Sequence, residues 1–377
     1  MTNMVNKERL LKSFLELLKI KSPSKNEKEI VDCVSSKLED LGLDVYVDDC
    51  WKKTGGNAGN IIAQYIADNP SGSRPIFLTA HLDTVEVNGD IVPVIKKGII
   101  SNKNKDCILG GDNKVAVAAI IEALEVIMEN KIPTGDIYVV LTVSEEIGLL
   151  GSKNLDTRLI KAKYGFAFDG DGDIGTIINK APYQNSIDAQ FKGKSAHAGV
   201  EPEKGINSIQ AAAAAINKMK IGRIDKETTS NVGKIEGGIA RNIVPENTKL
   251  EIEARSLDPE KLENITSDMV ESLKSGAAIN NAGLDYKVVR EYDGFEISEN
   301  EVPVQIARYA LQRLNIESKV VASGGGSDVN IFNSKGMMAI NLSSGMENIH
   351  TTREFVKVDQ LIKLAGLIIE ICRYVIK

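Results

Sequence analysis

The sequence predicts an α/β protein whose larger domain has a mixed, mostly parallel sheet covered by helices, with a smaller ferredoxin-like domain inserted into it. Near-continuous apolar runs alternate with helical patterns in the first and last parts of the chain, which is typical of strands buried on both faces of a parallel sheet. Between these parts the order of predicted elements changes to β-α-β-β-α-β, the split unit of ferredoxin-like folds. The length of 377 residues agrees with two domains.

Apolar residues at helical or strand spacing locate the elements of the larger domain. In the first part they predict helices at residues 7–18, 26–41 and 114–129, and strands at 61–66, 75–80, 137–143 and 164–168. In the last part they predict a helix at 302–314, a strand at 318–322, a helix after Asp328, a strand at 337–342 and a terminal helix from Leu361 to Ile376.

The inserted domain is predicted over residues 181–291, so that residues 1–180 and 292–377 form the larger domain. Its strands are predicted at 183–191, 229–235, 250–255 and 284–290, and its helices at 205–219 and 258–275. The second helix begins with Asp258 as a cap and Pro259 in the first turn, a combination that favours a helix start.

Composition and charge exclude several classes of protein. A net charge of −6 argues against a nucleic-acid-binding protein and against a polybasic membrane patch. Charged residues interrupt the apolar positions near the N-terminus and in the stretch from Leu361 to Ile376, so we expect neither a signal peptide nor a membrane span. The four cysteines form no CxxC pair, which indicates reduced thiols. We therefore expect a soluble, cytoplasmic protein.

Residues of the metal-ligand type follow the predicted strands directly. They are His81, Asp83, Glu145, Glu146 and Asp169, together with Asp112 at the start of a helix and His350 in a loop before the terminal helix. Because the carboxyl ends of parallel strands meet at one edge of a sheet, we expect these side chains to lie close together.

Each of these residues, taken alone, also has an ordinary interpretation. A lone histidine at a strand end is usually a solvated loop residue, Asp112 could be a helix N-cap, and Glu145 and Glu146 could form an exposed acidic turn. The aspartates at positions 169, 171 and 173 suggest a calcium loop, but Lys180 stands where such a loop needs a glutamate.

Taken together, the same residues indicate a metal centre. Mixed imidazole and carboxylate ligands suit zinc, and also cobalt or manganese, rather than magnesium alone. Five ligands exceed the need of one tetrahedral ion, so a two-metal site with one shared carboxylate is expected.

At these residues the sequence resembles the M20 family of di-zinc peptidases and deacylases, and most closely its peptidase T-like (tripeptidase-like) members. The motifs that carry the resemblance span nearly the whole chain in family order. They are TAHLDTV (79–85), GGDNKVAVAAI (110–120), SEEIGLLGS (144–152), AFDGD (167–171), GKSAHAG (193–199), GGIARNIVPE (237–246), EARSLD (253–258), SGGGSDVNIF (323–332) and NIHTTREFV (348–356).

The resemblance implies two Zn²⁺ per chain, with Co²⁺ or Mn²⁺ as alternatives. By position in the motifs, His81 and Asp169 would hold one ion and Glu146 and His350 the other, with Asp112 as the bridging ligand.

The resemblance also implies roles beside the ligands. Glu145 would be the general base that activates water, and Asp83 would orient the imidazole of His81, as carboxylates often do for metal-bound histidines. The family usually has a cis peptide after the bridging aspartate, here between Asp112 and Asn113.

In the inserted domain the resemblance implies contacts to substrate and to a second subunit. His197 would stabilise the oxyanion of a neighbouring subunit's site, in a homodimer formed through this lid domain. Asn242 and Arg255 would bind substrate, and Gly325 and Gly326 belong to a glycine loop expected beside it.

The predicted function is hydrolysis of a peptide bond in short peptides, of the aminopeptidase or tripeptidase type. One alternative is an N-acyl amino acid deacylase or carboxypeptidase-type amidohydrolase of the same family. Another is a non-catalytic metal- or nucleotide-binding α/β protein, which the sequence disfavours because it has no GxxxxGK[ST] loop and no GxGxxG after a strand.

Overall fold

The structure, a computed structural model, describes residues 4–68 and 70–374. It forms two compact units. The larger unit contains the described residues up to Lys180, Glu296–Ala322, and those from Ser327 onward. The smaller unit contains Ala181–Phe295 and the loop Ser323–Gly326. This loop lies far along the chain from the rest of its unit, and no sequence pattern indicates that it belongs there.

The described residues contain ten α-helices and seventeen strands. The helices are α1 (Lys7–Lys19), α2 (Lys28–Asp40), α3 (Trp51–Thr54), α4 (Lys114–Glu129), α5 (Leu150–Asn154), α6 (Ser208–Lys218), α7 (Pro259–Ile279), α8 (Val302–Arg313), α9 (Asp328–Ser334) and α10 (Val358–Cys372). The strands are β1 (Asp44–Val47), β2 (Ile61–Tyr65), β3 (Ile76–His81), β4 (Pro93–Lys96), β5 (Ile99–Asn102), β6 (Ile137–Thr142), β7 (Tyr164–Asp171), β8 (Thr176–Ala181), β9 (Tyr183–Lys192), β10 (Gly222–Arg223), β11 (Thr228–Gly237), β12 (Asn247–Ser256), β13 (Gly283–Tyr292), β14 (Phe295–Glu296), β15 (Lys319–Ala322), β16 (Met338–Glu347) and β17 (Phe355–Lys357).

A twelve-stranded mixed sheet is the centre of the larger unit. Its main order is β1-β2-β6-β3-β7-β16-β17-β5-β4, and β8 pairs with β14, β15 and β16. The four strands β6-β3-β7-β16 run parallel to one another, whereas β1, β2, β17, β5 and β4 add antiparallel pairs at both sides. The predicted α/β class with a mixed, helix-covered sheet is confirmed.

Burial explains why the central strands are apolar throughout. All residues of β3 and β6 are buried, as expected for strands that have helices on both faces. Helix α4 is rich in Ala, Val and Ile around its whole circumference and is buried almost completely, which is typical of a core helix. Phe77 of β3 pairs with Gly165 of β7, where a Cβ atom would lie 2.0 Å from the Phe77 ring, so only glycine allows the two strands to approach there.

The smaller unit has the ferredoxin-like arrangement that the sequence predicts. Its antiparallel sheet has the order β10-β11-β12-β9-β13, with the two-residue β10 as an addition at one edge. Helices α6 and α7 supply alanines and large apolar side chains to one core with the sheet residues Ile187, Phe191 and Leu250. The Asp258 carboxylate accepts the backbone N–H groups of Glu260 and Lys261, so the predicted helix cap is confirmed.

Short elements account for most differences from the sequence prediction. Strands β4, β5 and β17 contain three or four residues each, too few for a periodic pattern. The predicted terminal helix corresponds to α10, which begins earlier, at Val358, and Ile376 lies outside the described residues. Within residues 4–68 and 70–374, no helix is both long and apolar enough to cross a membrane.

Candidate metal centre

Three neighbouring parallel strands bring the candidate ligands to one edge of the large sheet. His81 is the last residue of β3, Asp169 lies near the end of β7, and Glu146 follows closely after β6. Asp112 precedes α4, and His350 lies in the loop between β16 and β17. These five residues, far apart in the sequence, therefore converge because their strands end side by side.

The candidate ligands form two groups that share one carboxylate. In the first group, Nε2 of His81 lies 3.0 Å from Oδ1 of Asp112 and 3.2 Å from Oδ1 of Asp169. In the second, Nε2 of His350 lies 3.2 Å from Oδ2 of Asp112 and 2.8 Å from Oε1 of Glu146. The two oxygens of Asp112 thus face different histidines, the arrangement that a bridging ligand requires.

The electrostatics of both groups favour positive charge. Burial alone would lower the pKa of His81, but hydrogen bonds with Asp112 and Asp169 outweigh it and raise that pKa well above its ordinary value. Hydrogen bonds with Asp112 and Glu146 raise the pKa of His350 to about 10. Burial, together with the nearby charges of Asp112 and Glu146, raises the pKa of Asp169 to about 6, because a further negative charge is unfavourable there without a cation. Each set of histidine and carboxylate side chains therefore favours a positive charge between the histidine Nε2 atom and the carboxylate oxygens, where the metal-free protein would hold a proton.

The spacing of the donor atoms fits a small divalent cation. Two ligands of a tetrahedral zinc ion, each about 2.0–2.1 Å from the metal, lie about 3.3 Å apart. The imidazole-to-carboxylate distances of 2.8–3.2 Å are close to that spacing, and all donors within each group lie within 4.8 Å of one another. The described residues therefore offer two candidate cation sites with one ligand in common.

Asp83 contacts His81, as its predicted role requires, and also the turn that carries Glu145 and Glu146. Its carboxylate accepts the backbone N–H groups of Glu145 at 2.9 Å and Glu146 at 3.2 Å, and the hydroxyl of Ser24 at 2.6 Å. Nδ1 of His81 lies 2.9 Å from the backbone carbonyl of Asp83 but 3.6 Å from its carboxylate. The carbonyl is the nearer partner of the imidazole, and the carboxylate lies close to the same nitrogen while it also holds the turn that carries Glu145 and Glu146.

A second buried carboxylate, which the sequence reasoning missed, supports the same turn. Glu27 accepts the backbone N–H of Ser144 at 3.0 Å, the Ser144 hydroxyl at 2.7 Å and the backbone N–H of Lys25 at 2.8 Å. Ser144 has a left-handed backbone conformation, with φ of +53°. Glu145 follows it, and burial raises the pKa of its carboxyl well above the ordinary value.

Asn113, next to the shared ligand, holds Asp169 in place. Its side-chain amide donates to Oδ1 of Asp169 at 2.8 Å. The peptide bond between Asp112 and Asn113 is cis, as the resemblance implied.

Comparison with known proteins gives the family. Residues 185–280 match the family described as Peptidase dimerisation domain, and residues 86–190 match the family described as M42 glutamyl aminopeptidase. An uncharacterized Bacillus subtilis protein, YqjE, is 41% identical over 98% of this chain and 98% of its own length. A Geobacillus kaustophilus peptidase T is 26% identical over 97% of this chain and 98% of its own length.

Two solved structures with high sequence identity to this chain also belong to peptidases. Aminopeptidase PepT from Bacillus cereus is 42% identical with a TM-score of 0.87, and the match covers 98% of this chain and 99% of that one. A Staphylococcus aureus tripeptidase is 39% identical with a TM-score of 0.92, and the match covers 98% of both chains. This chain belongs to the M20 peptidase family. Its relatives are of the peptidase T type, so the predicted class of hydrolytic enzyme is confirmed.

The smaller unit of this M20 peptidase carries the other predicted site residues. His197 is exposed and forms an isolated bridge with Ile243, next to Asn242, whose carbonyl accepts the backbone N–H of Ala198 at 2.9 Å. Nδ1 of His197 accepts the backbone N–H of Gly199 at 3.2 Å. In a neutral ring, this bond places the proton on Nε2, which is then available as a hydrogen-bond donor.

Arg255 lies beside the glycine loop in the same unit. Its Nη2 atom donates to Glu253 at 2.9 Å, and its Nε atom is buried without a hydrogen-bond partner among the described residues. A Cβ atom at Gly325 would lie 3.9 Å from Nη1 of Arg255, and one at Gly326 would lie 2.2 Å from the Tyr292 ring. Glycine at position 326 is therefore required for this close packing.

Proposed function

We propose that this M20 peptidase hydrolyses a peptide bond of short peptides with the help of two divalent cations, of which zinc fits the ligands best. The observation that carries the proposal is the pair of histidine and carboxylate groups that share Asp112. His81 and Asp169 would hold one cation, and Glu146 and His350 the other. When bound, such cations polarise a carbonyl and lower the pKa of water.

Glu145 is the proposed general base. A carboxyl group whose pKa is raised towards the working pH can accept a proton from the attacking water and return it to the leaving amine. The hydrogen bond from its backbone N–H to Asp83 fixes the turn on which Glu145 sits. Its side chain is therefore placed by two carboxylates, those of Asp83 and Glu27, that take no part in the proton transfer.

The smaller unit is proposed to complete the site. The Nε2–H group of His197 is a suitable donor to the oxyanion of the reaction, in a homodimer in which the unit acts as lid and dimerisation domain. Arg255 suits a terminal carboxylate, because guanidinium groups bind carboxylates bidentately. Asn242, Gly325 and Gly326 would line the same substrate region. The larger unit would be the catalytic domain; it corresponds to the predicted residues 1–180 and 292–377 except for residues 292–295 and the loop Ser323–Gly326, which belong to the smaller unit.

The free cysteines support a cytoplasmic enzyme. Cys33, Cys50, Cys107 and Cys372 are all unpaired, as expected in a reducing compartment.

Metal removal and a substrate panel test the proposal. The chelator-treated enzyme should lose hydrolysis of tripeptides, and added zinc, cobalt or manganese should restore it. Dipeptides and N-acetyl amino acids belong in the same panel. A preference for N-acetyl amino acids would favour a deacylase, and undiminished hydrolysis by the metal-free protein would contradict the proposal.

A matched pair of variants tests whether metal binding depends on Asp169 specifically or only on the negative charge of this part of the strand. Asp169→Asn should reduce the metal content per chain, measured by elemental analysis. Asp171→Asn changes an exposed carboxylate on the same strand and should leave the metal content unchanged. Equal metal content in both variants would remove Asp169 from the ligand set.

A further inference from the structure

Glu354 is a buried carboxylate that receives four consecutive backbone N–H groups. It is only 3% exposed. Its Oε2 atom accepts from Leu109 at 2.9 Å and Gly110 at 2.8 Å, and its Oε1 atom accepts from Gly111 at 2.7 Å and Asp112 at 3.0 Å. The backbone of the loop that leads to Asp112 is thus hydrogen-bonded to a single side chain, that of Glu354.

Two glycines make this arrangement possible. Gly110 has φ of +69°, a conformation that other residues rarely adopt. A Cβ atom at Gly111 would lie 3.0 Å from Oε1 of Glu354 and 3.3 Å from a methyl carbon of Val356. The loop therefore needs glycine for its backbone shape at one position and for space at the next.

Glu354 also belongs to the segment that carries His350. Its own backbone N–H donates to the carbonyl of Thr351 at 3.1 Å, which closes a turn directly after His350. Nε2 of His350 lies 3.2 Å from Oδ2 of Asp112. One carboxylate thus joins the two loops whose side chains face each other in the second ligand group.

We infer that Glu354 is a positioning residue for the metal centre, which fixes the shared ligand Asp112 relative to His350. This inference rests on the proposed function, because it assumes that these two residues bind a common cation. Glu354 itself faces the backbone of the loop, with both carboxylate oxygens committed to N–H groups, and so acts through Asp112 rather than as a ligand.

The chemistry of the contact explains why a carboxylate is needed. Two charged oxygens with about four lone-pair sites can accept four N–H groups, whereas a glutamine side chain has one acceptor oxygen and an NH₂ group that would face other donors. Aspartate keeps the charge but is one methylene shorter. The backbone N–H groups of residues 109–112 would then be only partly satisfied.

The test compares metal affinity of Glu354→Gln, Glu354→Asp and wild type by titration of the metal-free proteins with zinc against a chromophoric chelator. We expect Glu354→Gln to weaken zinc binding about 10–100-fold, the usual effect of losing a group that orients a metal ligand. Glu354→Asp should recover part of that loss. At saturating zinc, Glu354→Gln should lower kcat by a larger factor than it changes KM, because Glu354 does not contact the substrate.

Glu122→Gln is the matched control. Glu122 is also a buried carboxylate that accepts a backbone N–H, that of Asn6, but it lies within α4 and away from both ligand groups. The Glu122→Gln substitution should lower the melting temperature of the protein without changing its zinc affinity. If Glu354→Gln does not fold, Gly111→Ala serves instead, because the added methyl group displaces the carboxylate without removing it.

The outcomes are distinguishable. Weaker zinc binding in Glu354→Gln or Gly111→Ala, with normal binding in Glu122→Gln, supports the positioning role. Wild-type zinc affinity in the folded Glu354 and Gly111 variants overturns it and leaves the metal centre intact. Failure of the wild-type protein to bind zinc, cobalt or manganese overturns both this inference and the proposed function.

Discussion

The buried carboxylates near the proposed metal centre fall into two sets, which have different contacts. Asp112, Glu146 and Asp169 face histidine nitrogens, whereas Asp83, Glu27 and Glu354 accept backbone N–H groups of the loops that carry the ligands and Glu145. Because a buried carboxylate is costly unless its oxygens are satisfied, the contacts of Asp83 and Glu354 also keep these loops in one conformation, whereas Oε2 of Glu27 is buried without a hydrogen-bond partner among the described residues.

Glu145 is expected to be needed for turnover but not for metal binding. Glu145→Gln keeps the size of the side chain and removes its ability to accept a proton, so kcat should fall roughly 10²–10⁴-fold. Steady-state hydrolysis of a tripeptide and elemental analysis of the same sample provide the measurement. A near wild-type rate with normal metal content would exclude Glu145 as the base.

Metal affinity is expected to rise with pH. The metal-free enzyme holds a proton on His350, whose pKa is about 10, but a cation needs the neutral ring. Between pH 6.5 and 8 the cation must therefore displace that proton, and affinity should increase about tenfold per pH unit for each proton displaced. Competition with a chelator of known pH dependence measures it. Constant affinity across this range would show that the histidines are already neutral.

Some features of single residues could be predicted from the sequence, and others could not. The proximity of His81, Asp112 and Asp169 could be predicted because each stands near the end of a predicted strand or the start of a predicted helix. The contact of Glu354 with Asp112 joins residues 242 positions apart, and no local pattern indicates it. The contacts of the Asp83 carboxylate with the backbone of Glu145 and Glu146 could not be predicted either, because these residues lie more than sixty positions from Asp83 in the sequence.

At the scale of elements, continuous apolar runs identified β3, β6 and β7, because strands buried on both faces need apolar residues at every position. The antiparallel strands β4 and β5 are half-exposed and short, so their sequences resemble loops. Sequence patterns therefore located the part of the sheet that carries the ligands and missed its edge.

The start of α7 offers a test of an element outside the metal centre. Asp258→Ala removes the acceptor for the N–H groups of Glu260 and Lys261 and should lower the free energy of unfolding by about 1 kcal/mol. Urea denaturation measures this difference. Glu271→Ala, at an exposed position within the same helix, should have a smaller effect, and metal content should remain unchanged in both.

At the scale of the whole molecule, the dimer can be tested by mixing inactive variants. His197→Ala and Glu145→Gln each inactivate one part of the proposed composite site. If His197 serves the site of the neighbouring subunit, hybrid dimers contain one intact site, and random mixing should restore about a quarter of wild-type activity.

A second mixture is the control for this experiment. Glu145→Gln and His81→Ala damage the same half of the site, so their hybrids should stay inactive. If the first mixture also remained inactive although hybrid dimers had formed, His197 would act within its own chain. If His197→Ala alone kept wild-type activity, His197 would have no role in the reaction.

The order of the proposed metal ligands along the chain has a consequence for the synthesis of the protein. His81, Asp112, Glu146 and Asp169 all precede the inserted unit, whereas His350 and Glu354 follow it. A growing polypeptide on the ribosome therefore lacks part of the cation-binding set until the inserted unit has been synthesised in full. Products of premature termination before residue 350 would lack both His350 and Glu354, so the proposed second cation site would be incomplete in them.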